Sequence, residues 1–224
     1  MIEKIGPTVH KGGTIYNIGG GGGGGDPVTP VLPENISLME YYNVAANPGG
    51  YFILTTENGI WINRNDIVYT KFELDLSQQY YDFRLYECYN GSFEMSLMGS
   101  NPTELYEYNM TTSRQWHTLN LKVGSALQYV IRTNQGYQGD GWSISRAASG
   151  SCDGVYMARL FFGNRTPGKF YKLIVADENN IERYSLLPVF NTQTNAVGIL
   201  KTDTQEVFYP NIQSGFTAGP LIPF

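Results

Sequence analysis

Two carboxylates occupy alternate positions of a strand-like segment, Glu73-Leu-Asp75-Leu-Ser77. Alternate residues of a β-strand point to the same face of its sheet, so both side chains would line one surface. Sandwich glycosidases place carboxylates in this way, about 5 Å apart in retaining enzymes and wider apart in inverting ones. The third acid of their pattern, E-x-D-x-(x)-E, is missing here. Glycoside hydrolysis is therefore an alternative interpretation, and a solvated face of alternating charges is the preferred one.

Nucleophilic catalysis has little support in the residue types. The chain has two histidines, His10 and His117, and no Gly-x-Ser-x-Gly motif, so the parts of a Ser-His-Asp triad are not present together. Its two cysteines, Cys88 and Cys152, are not spaced as metal ligands and are too few for a disulfide framework. We expect two free, buried thiols, with a disulfide between them as the alternative.

Calcium is the metal that is hardest to exclude, because it needs only carboxylates and carbonyl oxygens in a loop. Acidic loop segments contain Asp140, Asp153 and Asp177, and none has EF-hand spacing. The segment that follows Asp177 fits a hairpin turn better than a cation loop. We predict no metal, no cofactor and no enzymatic activity.

Carbohydrate recognition commonly combines an aromatic ring, which packs against the C–H face of a sugar, with planar polar groups. The segment that best fits this description is Gly136–Trp142. Its candidate glycan contacts are Tyr137, Asp140 and Trp142. The alternative is that aromatic residues, 14% of the chain, are mostly core residues and cross-strand pairs. For any single ring that alternative is preferred.

The elements that must position these residues are short strands. Of 224 residues, 42% are hydrophobic and only 16% are charged, which is below the typical quarter of a globular domain. About a dozen segments rich in aromatic and β-branched residues follow one another at regular spacing, without a helical period. Asn90-Gly91 is a strong signal for a two-residue hairpin turn. The pattern predicts an all-β fold, an antiparallel β-sandwich of the jelly-roll kind.

The charge and hydropathy of the chain exclude several classes of function. Its net charge is −5 and its pI is about 5.0, so a basic footprint for nucleic acid is absent. No apolar run reaches the length of a membrane span, and the amino terminus lacks the apolar region of a signal peptide. We expect a soluble protein without a secretion signal that binds neither membrane nor nucleic acid.

An unbroken run of glycines, Gly19–Gly25, divides the chain. Glycine loses the most backbone entropy on folding, so this run cannot be an ordinary core element. We predict an N-terminal anchor peptide over residues 1–18, a Gly/Pro-rich linker or stem over 19–34 and the jelly-roll domain over 35–224. Too small to fold alone, the peptide would bind a partner through Ile5, Val9, Ile15, Tyr16 and Ile18. A frayed terminus is the alternative.

The final third of the chain shows a recurrent order of segments: an aromatic-Lys-hydrophobic strand, an Asp/Asn-rich turn, Leu-x-Pro, an Asn turn, Val-Gly, Phe-Tyr-x-Asn and Gly-x-Phe. These segments are Gly168–Arg183, Leu187–Asn191, Val197–Leu200, Val207–Asn211 and Ser214–Gly219. This order resembles the closing part of LamG-like, concanavalin-type jelly rolls in surface and phage virion proteins of gut Bacteroidales. The chain departs from it at Gly198-Ile-Leu-Lys201, where the family prefers Leu-Tyr-Asp after the glycine.

This resemblance implies a non-enzymatic virion structural protein, a head or tail fibre or decoration protein of a crAss-like phage. It would be assembled in the host cytoplasm and lie on the virion surface, held to other virion proteins by its amino terminus. Fibres of this kind are commonly homotrimers, in which three glycine runs could pack closely around one axis. The jelly roll would face outward, where host or mucosal glycans are its candidate ligands. The alternatives are a carbohydrate-binding module of a bacterial surface protein and, less favoured, a sandwich-type glycoside hydrolase.

Overall fold

In the computed structural model, the described residues lie mostly in antiparallel β-strands. They comprise positions 8–11, 14–17, 32–45, 52–53, 60–63, 65–75, 81–89, 93–99, 104–108, 115–118, 127–133, 136–139, 142–145, 155–163 and 167–223. These ranges contain twenty strands and one 3₁₀ turn, Gln213–Gly215, but no α-helix. The all-β, antiparallel prediction is confirmed at this level. No helix in this part of the chain is long and apolar enough to cross a membrane.

The larger sheet contains eleven of the described strands. Its main path runs through β14 (Trp142–Ser145), β13 (Gly136–Gly139), β12 (Leu127–Thr133), β7 (Ile67–Leu74), β16 (Gly168–Ala176), β17 (Glu182–Asn191), β18 (Ala196–Lys201) and β19 (Glu206–Phe208). Three short strands join it from the side: β3 (Ile36–Leu38), β4 (Tyr42–Val44) and β20 (Phe216–Ala218). Of these, β3 pairs with β17, while β4 lies between β16 and β20.

A second sheet contains seven of the described strands. In order they are β11 (Gln115–Thr118), β10 (Glu104–Tyr108), β9 (Phe93–Gly99), β8 (Tyr81–Tyr89), β15 (Val155–Gly163) and β5 (Phe52–Ile53), with β6 (Ile60–Ile62) also paired to β15. Strands β8 and β9 flank Asn90-Gly91 and pair antiparallel, from Cys88 opposite Phe93 to Tyr81 opposite Gly99. The antiparallel pairing of the strands on either side of that dipeptide is therefore confirmed, while residues 90–92 lie outside the described residues.

Three consecutive hairpins connect β16 to β19, and local hydrogen bonds shape their turns. In the first turn, Asp177 Oδ1 accepts hydrogen bonds from the backbone N–H groups of Asn179 and Ile181, each 2.9 Å long. Asn180 completes the turn with a φ of 66°, which asparagine tolerates better than most residues. The prediction of a plain hairpin turn after Asp177 is confirmed.

The main core joins the larger sheet to the second sheet. At its centre the rings of Tyr42 and Phe170 stack with their centroids 5.0 Å apart. Phe52, from the second sheet, lies 5.3 Å from Tyr42 and 5.2 Å from Phe216, centroid to centroid. Ile62 of β6 belongs to the same cluster. Because β5 and β6 of the second sheet contribute buried side chains to this cluster, the burial of these rings holds those two strands against the larger sheet.

The opposite face of the larger sheet is also apolar at one end. A second buried cluster contains Ile67, Tyr69, Ile131, Ile174 and Ala176 from β7, β12 and β16. A strand that is buried on both faces has a continuous run of apolar residues, without the alternation of apolar and polar residues seen in a half-buried strand. We call the face that packs on the second sheet the inner face, and the one that carries this second cluster the outer face.

Buried charges meet where β7 begins. The Asp66 carboxylate, which is 3% exposed, accepts hydrogen bonds from the Asn63 backbone N–H at 2.7 Å and from the Arg183 guanidinium. The Arg132 side chain is also buried and donates to the backbone oxygen of Asp66 at 3.2 Å. A buried charge is stable only when it is paired and hydrogen-bonded. This group therefore holds the loop before β7 against β12 and β17.

Replacing Asp66 with alanine should lower the free energy of unfolding by about 1 to 3 kcal/mol, because two partly buried donors lose their charged acceptor. Urea denaturation followed by circular dichroism measures the change. Glu178→Ala is the control, since the exposed Glu178 carboxylate bonds only the nearby Asn65 side chain among the described partners. We expect that control to change stability by less than about 0.5 kcal/mol. Equal effects of the two substitutions would contradict the role given to Asp66.

Candidate functional site

A β-bulge in β16 gathers charged and aromatic side chains on the outer face. Lys169 lies opposite Glu73 of β7, and after a register shift Lys172 lies opposite Lys71. Tyr171 is the extra residue between these pairs. Strict alternation would send Lys172 to the inner face, but the bulge returns it to the outer face beside Lys169 and Tyr171.

Glu73 is the hydrogen-bonding centre of this group. Its Oε2 lies 2.8 Å from Lys169 Nζ, and its Oε1 accepts a hydrogen bond from the Tyr171 hydroxyl. The Glu73 side chain is 11% exposed, so these bonds replace most of its hydration. The bond to Glu73 raises the pKa of Lys169 above its ordinary value. Burial, and then the same carboxylate, raises the pKa of the Tyr171 hydroxyl.

Two tyrosine rings lie beside these lysines. The rings of Tyr41 and Tyr171 are 5.2 Å apart between centroids and tilted by 55°. Lys169 Nζ lies 4.8 Å from the Tyr41 centroid, and Lys71 Nζ lies 5.3 Å from the Tyr171 centroid, both within cation–π range. All of these residues and Lys172 are partly exposed. We call Tyr41, Lys71, Lys169, Tyr171 and Lys172 the lysine–tyrosine face.

A cleft of about 240 Å³ adjoins the lysine–tyrosine face. Its lining residues are Asn43, Val44, Glu73, Asp75, Pro167, Gly168 and Lys169. Glu73 and Asp75 thus share one surface, as their alternate positions predicted. At Gly168 a Cβ atom would lie only 2.5 Å from the Glu73 carbonyl oxygen, so the strands can approach this closely only with glycine there. We call this the Glu73 cleft.

The arrangement is suited to binding more than to acid–base chemistry. Both carboxylate oxygens of Glu73 are engaged by side chains of the protein, and would have to leave them before acting on a substrate. Hydrogen-bonding groups and ring faces stand next to each other, which is the combination that a polar, ring-shaped ligand requires. Among the described residues, no three His, Cys, Asp or Glu side chains come together as a metal site would need.

The two aromatic residues among the candidate glycan contacts lie where the preferred alternative put them, in or against the core. Gly136–Gly139 is strand β13 and not a loop, and its pairing with β12 sets Tyr137 opposite Arg132. Tyr137 is therefore fully buried in the main core, at 0% exposure. Trp142 is half-buried, packs against that core, and its indole ring occupies the space that a Cβ of Gly139 would need. The buried Tyr137 ring cannot stack on a sugar, and Asp140 lies outside the described residues.

The predicted anchor residues fall partly within the described chain. Strands β1 (Thr8–Lys11) and β2 (Thr14–Asn17) form an antiparallel hairpin in which Val9 lies opposite Tyr16 and Ile15 opposite His10. Ile5, Ile18, the glycine run, Cys152 and Asp153 lie outside the described residues. Cys88 lies on β8.

Sequence reasoning did not select the lysine–tyrosine face. A signal for it is present in Lys169-Phe-Tyr-Lys172, where two lysines flank two aromatic residues. Strict alternation would place those lysines on opposite faces. Only the bulge, which depends on the pairing with β7, puts both on the same face.

Comparison with known proteins does not add a relative. No protein-family model, curated protein or solved structure matches this chain.

Replacing Glu73 with glutamine should lower the pKa of Lys169 and reduce the free energy of unfolding at neutral pH by about 1 kcal/mol, because the ionised acceptor is lost. The raised pKa of Lys169 means that this stabilisation is complete below pH 10.5, the ordinary lysine value, and is lost as the pH rises through the folded-state pKa. The stability difference between the parent and the variant should therefore shrink in strong alkali. NMR titration of Lys169 and urea denaturation at two pH values measure both effects.

Glu34→Gln is the matched control, because it makes the same charge change on an exposed side chain. We expect it to leave stability within about 0.5 kcal/mol of the parent. A Lys169 pKa that stays the same in Glu73→Gln would show that the ion pair does not exist in solution.

Proposed function

We propose that this protein is a non-enzymatic virion surface protein, anchored by its amino terminus and displaying a β-sandwich domain that contacts glycans. The observation that carries the proposal is the N-terminal hairpin of β1 and β2, which pairs with no other described strand. In sequence it is followed by the glycine run and then by the β-rich domain. This organisation suits a short gripping element joined by a tether to a displayed head.

An isolated two-stranded hairpin is at best marginally stable in water. Both of its outer edges can accept a further strand, and strand addition is a common way for a short segment to bind a partner. Since β1 and β2 find no third strand among the described residues, a partner protein or further copies of this chain would complete the sheet. A homotrimer would supply such copies and would bring three glycine runs together.

For the displayed domain we propose a jelly roll of the LamG-like, concanavalin type, with the N-terminal segment as its stem. Support comes from two antiparallel sheets that contribute to one core and from the consecutive hairpins β16–β19, whose segments carry the resemblance. Support for binding in place of catalysis comes from Glu73, whose carboxylate oxygens are both engaged within the protein.

For the glycan contact we propose the lysine–tyrosine face together with the Glu73 cleft. The tilted rings of Tyr41 and Tyr171 offer π-faces to the C–H bonds of a sugar ring. Asn43, Asp75 and Lys169 line the adjoining cleft and would hydrogen-bond sugar hydroxyls. The same face would serve a carbohydrate-binding module of a bacterial surface protein, so the oligomeric state separates the two candidates.

Light scattering of the purified protein should give a mass near three times the 25.0 kDa of one chain. Deleting residues 1–25 should leave a folded, β-rich monomer, because the deletion removes the strands and glycines that we assign to assembly and attachment. Circular dichroism checks that the truncated domain is folded. A monomer both with and without these residues would contradict the trimeric fibre and favour a solitary binding module.

Incubation with a panel of polysaccharides should release no reducing sugars, because Glu73 is engaged and the third acid of the glycosidase pattern is missing. Reducing-end assays on the full chain, with Glu73→Gln in parallel, measure this. Hydrolysis by the parent that the variant loses would refute the non-enzymatic assignment.

A further inference from the structure

Two lysines face each other at the centre of the outer face. Lys71 of β7 and Lys172 of β16 are direct cross-strand partners, and like charges in this position destabilise a sheet. Neither forms an ion pair with a carboxylate among the described residues. Their described cation–π contacts are with tyrosine rings: Lys71 Nζ is 5.3 Å from the Tyr171 centroid and Lys172 Nζ is 5.8 Å from the Tyr69 centroid.

The surroundings of Lys172 disfavour its positive charge. Burial lowers the pKa of Lys172, Lys71 lowers it further, and Glu182 opposes these effects without cancelling them. The Glu73 carboxylate is already bonded by Lys169 and Tyr171. The folded protein therefore contains two neighbouring lysine charges that nearby carboxylates do not fully neutralise. Such arrangements reduce stability and are found where a site awaits an opposite charge.

The groups around the lysine pair indicate what carries that opposite charge. The half-buried rings of Tyr41 and Tyr171 lie on one side, and Tyr129 lies opposite Lys71 on β12. The polar Glu73 cleft adjoins them. A sugar ring fits this combination of aromatic faces and hydrogen-bonding groups. A long polyanion does not, because a protein with a net charge of −5 repels it at a distance.

We infer that the lysine–tyrosine face binds an acidic saccharide, one that bears a carboxylate or sulfate group, and that Lys71 and Lys172 are the residues that select the charge. This inference rests on the proposed role of that face as the glycan contact. An anion between the two ammonium groups would relieve their repulsion, while the tyrosines and the cleft would hold the rest of the sugar. Neutral saccharides would keep the contacts with the tyrosines and the cleft and lack the contact with the two ammonium groups.

Isothermal titration calorimetry on the full chain tests the inference with four probes of matched length. They are a chondroitin sulfate oligosaccharide, an oligogalacturonate, a neutral dextran oligosaccharide and a single-stranded DNA. We expect at least one acidic saccharide to bind about ten-fold more tightly than dextran, a difference that one charge contact can supply. The sulfated and carboxylated probes distinguish the two sources of negative charge.

Lys71→Met and Lys172→Met should each weaken binding of the acidic saccharide about ten-fold and weaken dextran binding much less, because a neutral sugar makes no charge contact with either lysine. Lys11→Met is the matched control, because it removes the same charge from the N-terminal hairpin and should change neither. In the absence of ligand, Lys172→Met should raise the thermal unfolding midpoint, since it removes a desolvated cation that faces another lysine. A lower midpoint for both lysine variants would mark the pair as structural and overturn the inference.

The remaining outcomes separate this inference from the proposed function. Equal affinity for acidic and neutral saccharides would refute charge selection and leave the glycan contact in place. If DNA binds as tightly as the acidic saccharide and with the same dependence on the two lysines, the site selects polyanions in general, and the inference of a saccharide ligand is wrong. Absence of binding to all four probes would overturn both this inference and the glycan contact, while the anchor would still be judged by the mass measurement.

Discussion

Strands β7 and β16 pair through eight residue pairs at the centre of the larger sheet, and the core and the candidate site both depend on their register. Alternation sends Val68 and Phe72 to the inner face, where they join the main core, and Tyr69 and Glu73 to the outer face. A slip of one residue would exchange the two faces, burying charges and exposing aromatic rings. The large apolar cluster on the inner face therefore stabilises this register against its alternatives.

The bulge at Tyr171 changes which side chains of β16 point to the outer face. It keeps Phe170 in the core and still turns Lys169 and Lys172 to the same side of the sheet. The outer face is thus divided along its strands, with an apolar cluster around Tyr69 and Ile174 at one end and charged groups at the other. Bulges are common next to functional sites because they change the direction of side chains without ending the strand.

Charged side chains in the larger sheet differ in whether a group of opposite charge is bonded to them. Asp66 is bonded by Arg183, and Glu73 is bonded by Lys169 and Tyr171. These contacts stabilise the fold, because each buried carboxylate keeps its hydrogen bonds. Lys71 and Lys172 have no such carboxylate among the described residues. A repulsive pair kept in an otherwise well-compensated sheet is more easily explained by ligand binding than by stability.

Residue types and local spacing were enough to predict the all-β class, the hairpin around Asn90-Gly91 and the hairpin turn after Asp177, because turn chemistry and alternation act within a few residues. They were not enough for β13, since Gly136-Tyr-Gln-Gly139 has the composition of a loop and becomes a strand through its pairing with β12. That pairing buries Tyr137, a candidate glycan contact, in the core, which is the alternative that the sequence favoured for any single ring. The lysine–tyrosine face likewise assembles Tyr41, Lys71 and Tyr171 from distant parts of the chain. The sequence by itself determined the all-β class and the local turns; the tertiary structure alone decided which side chains meet, because strand register and bulges are set by pairing between residues far apart in the chain.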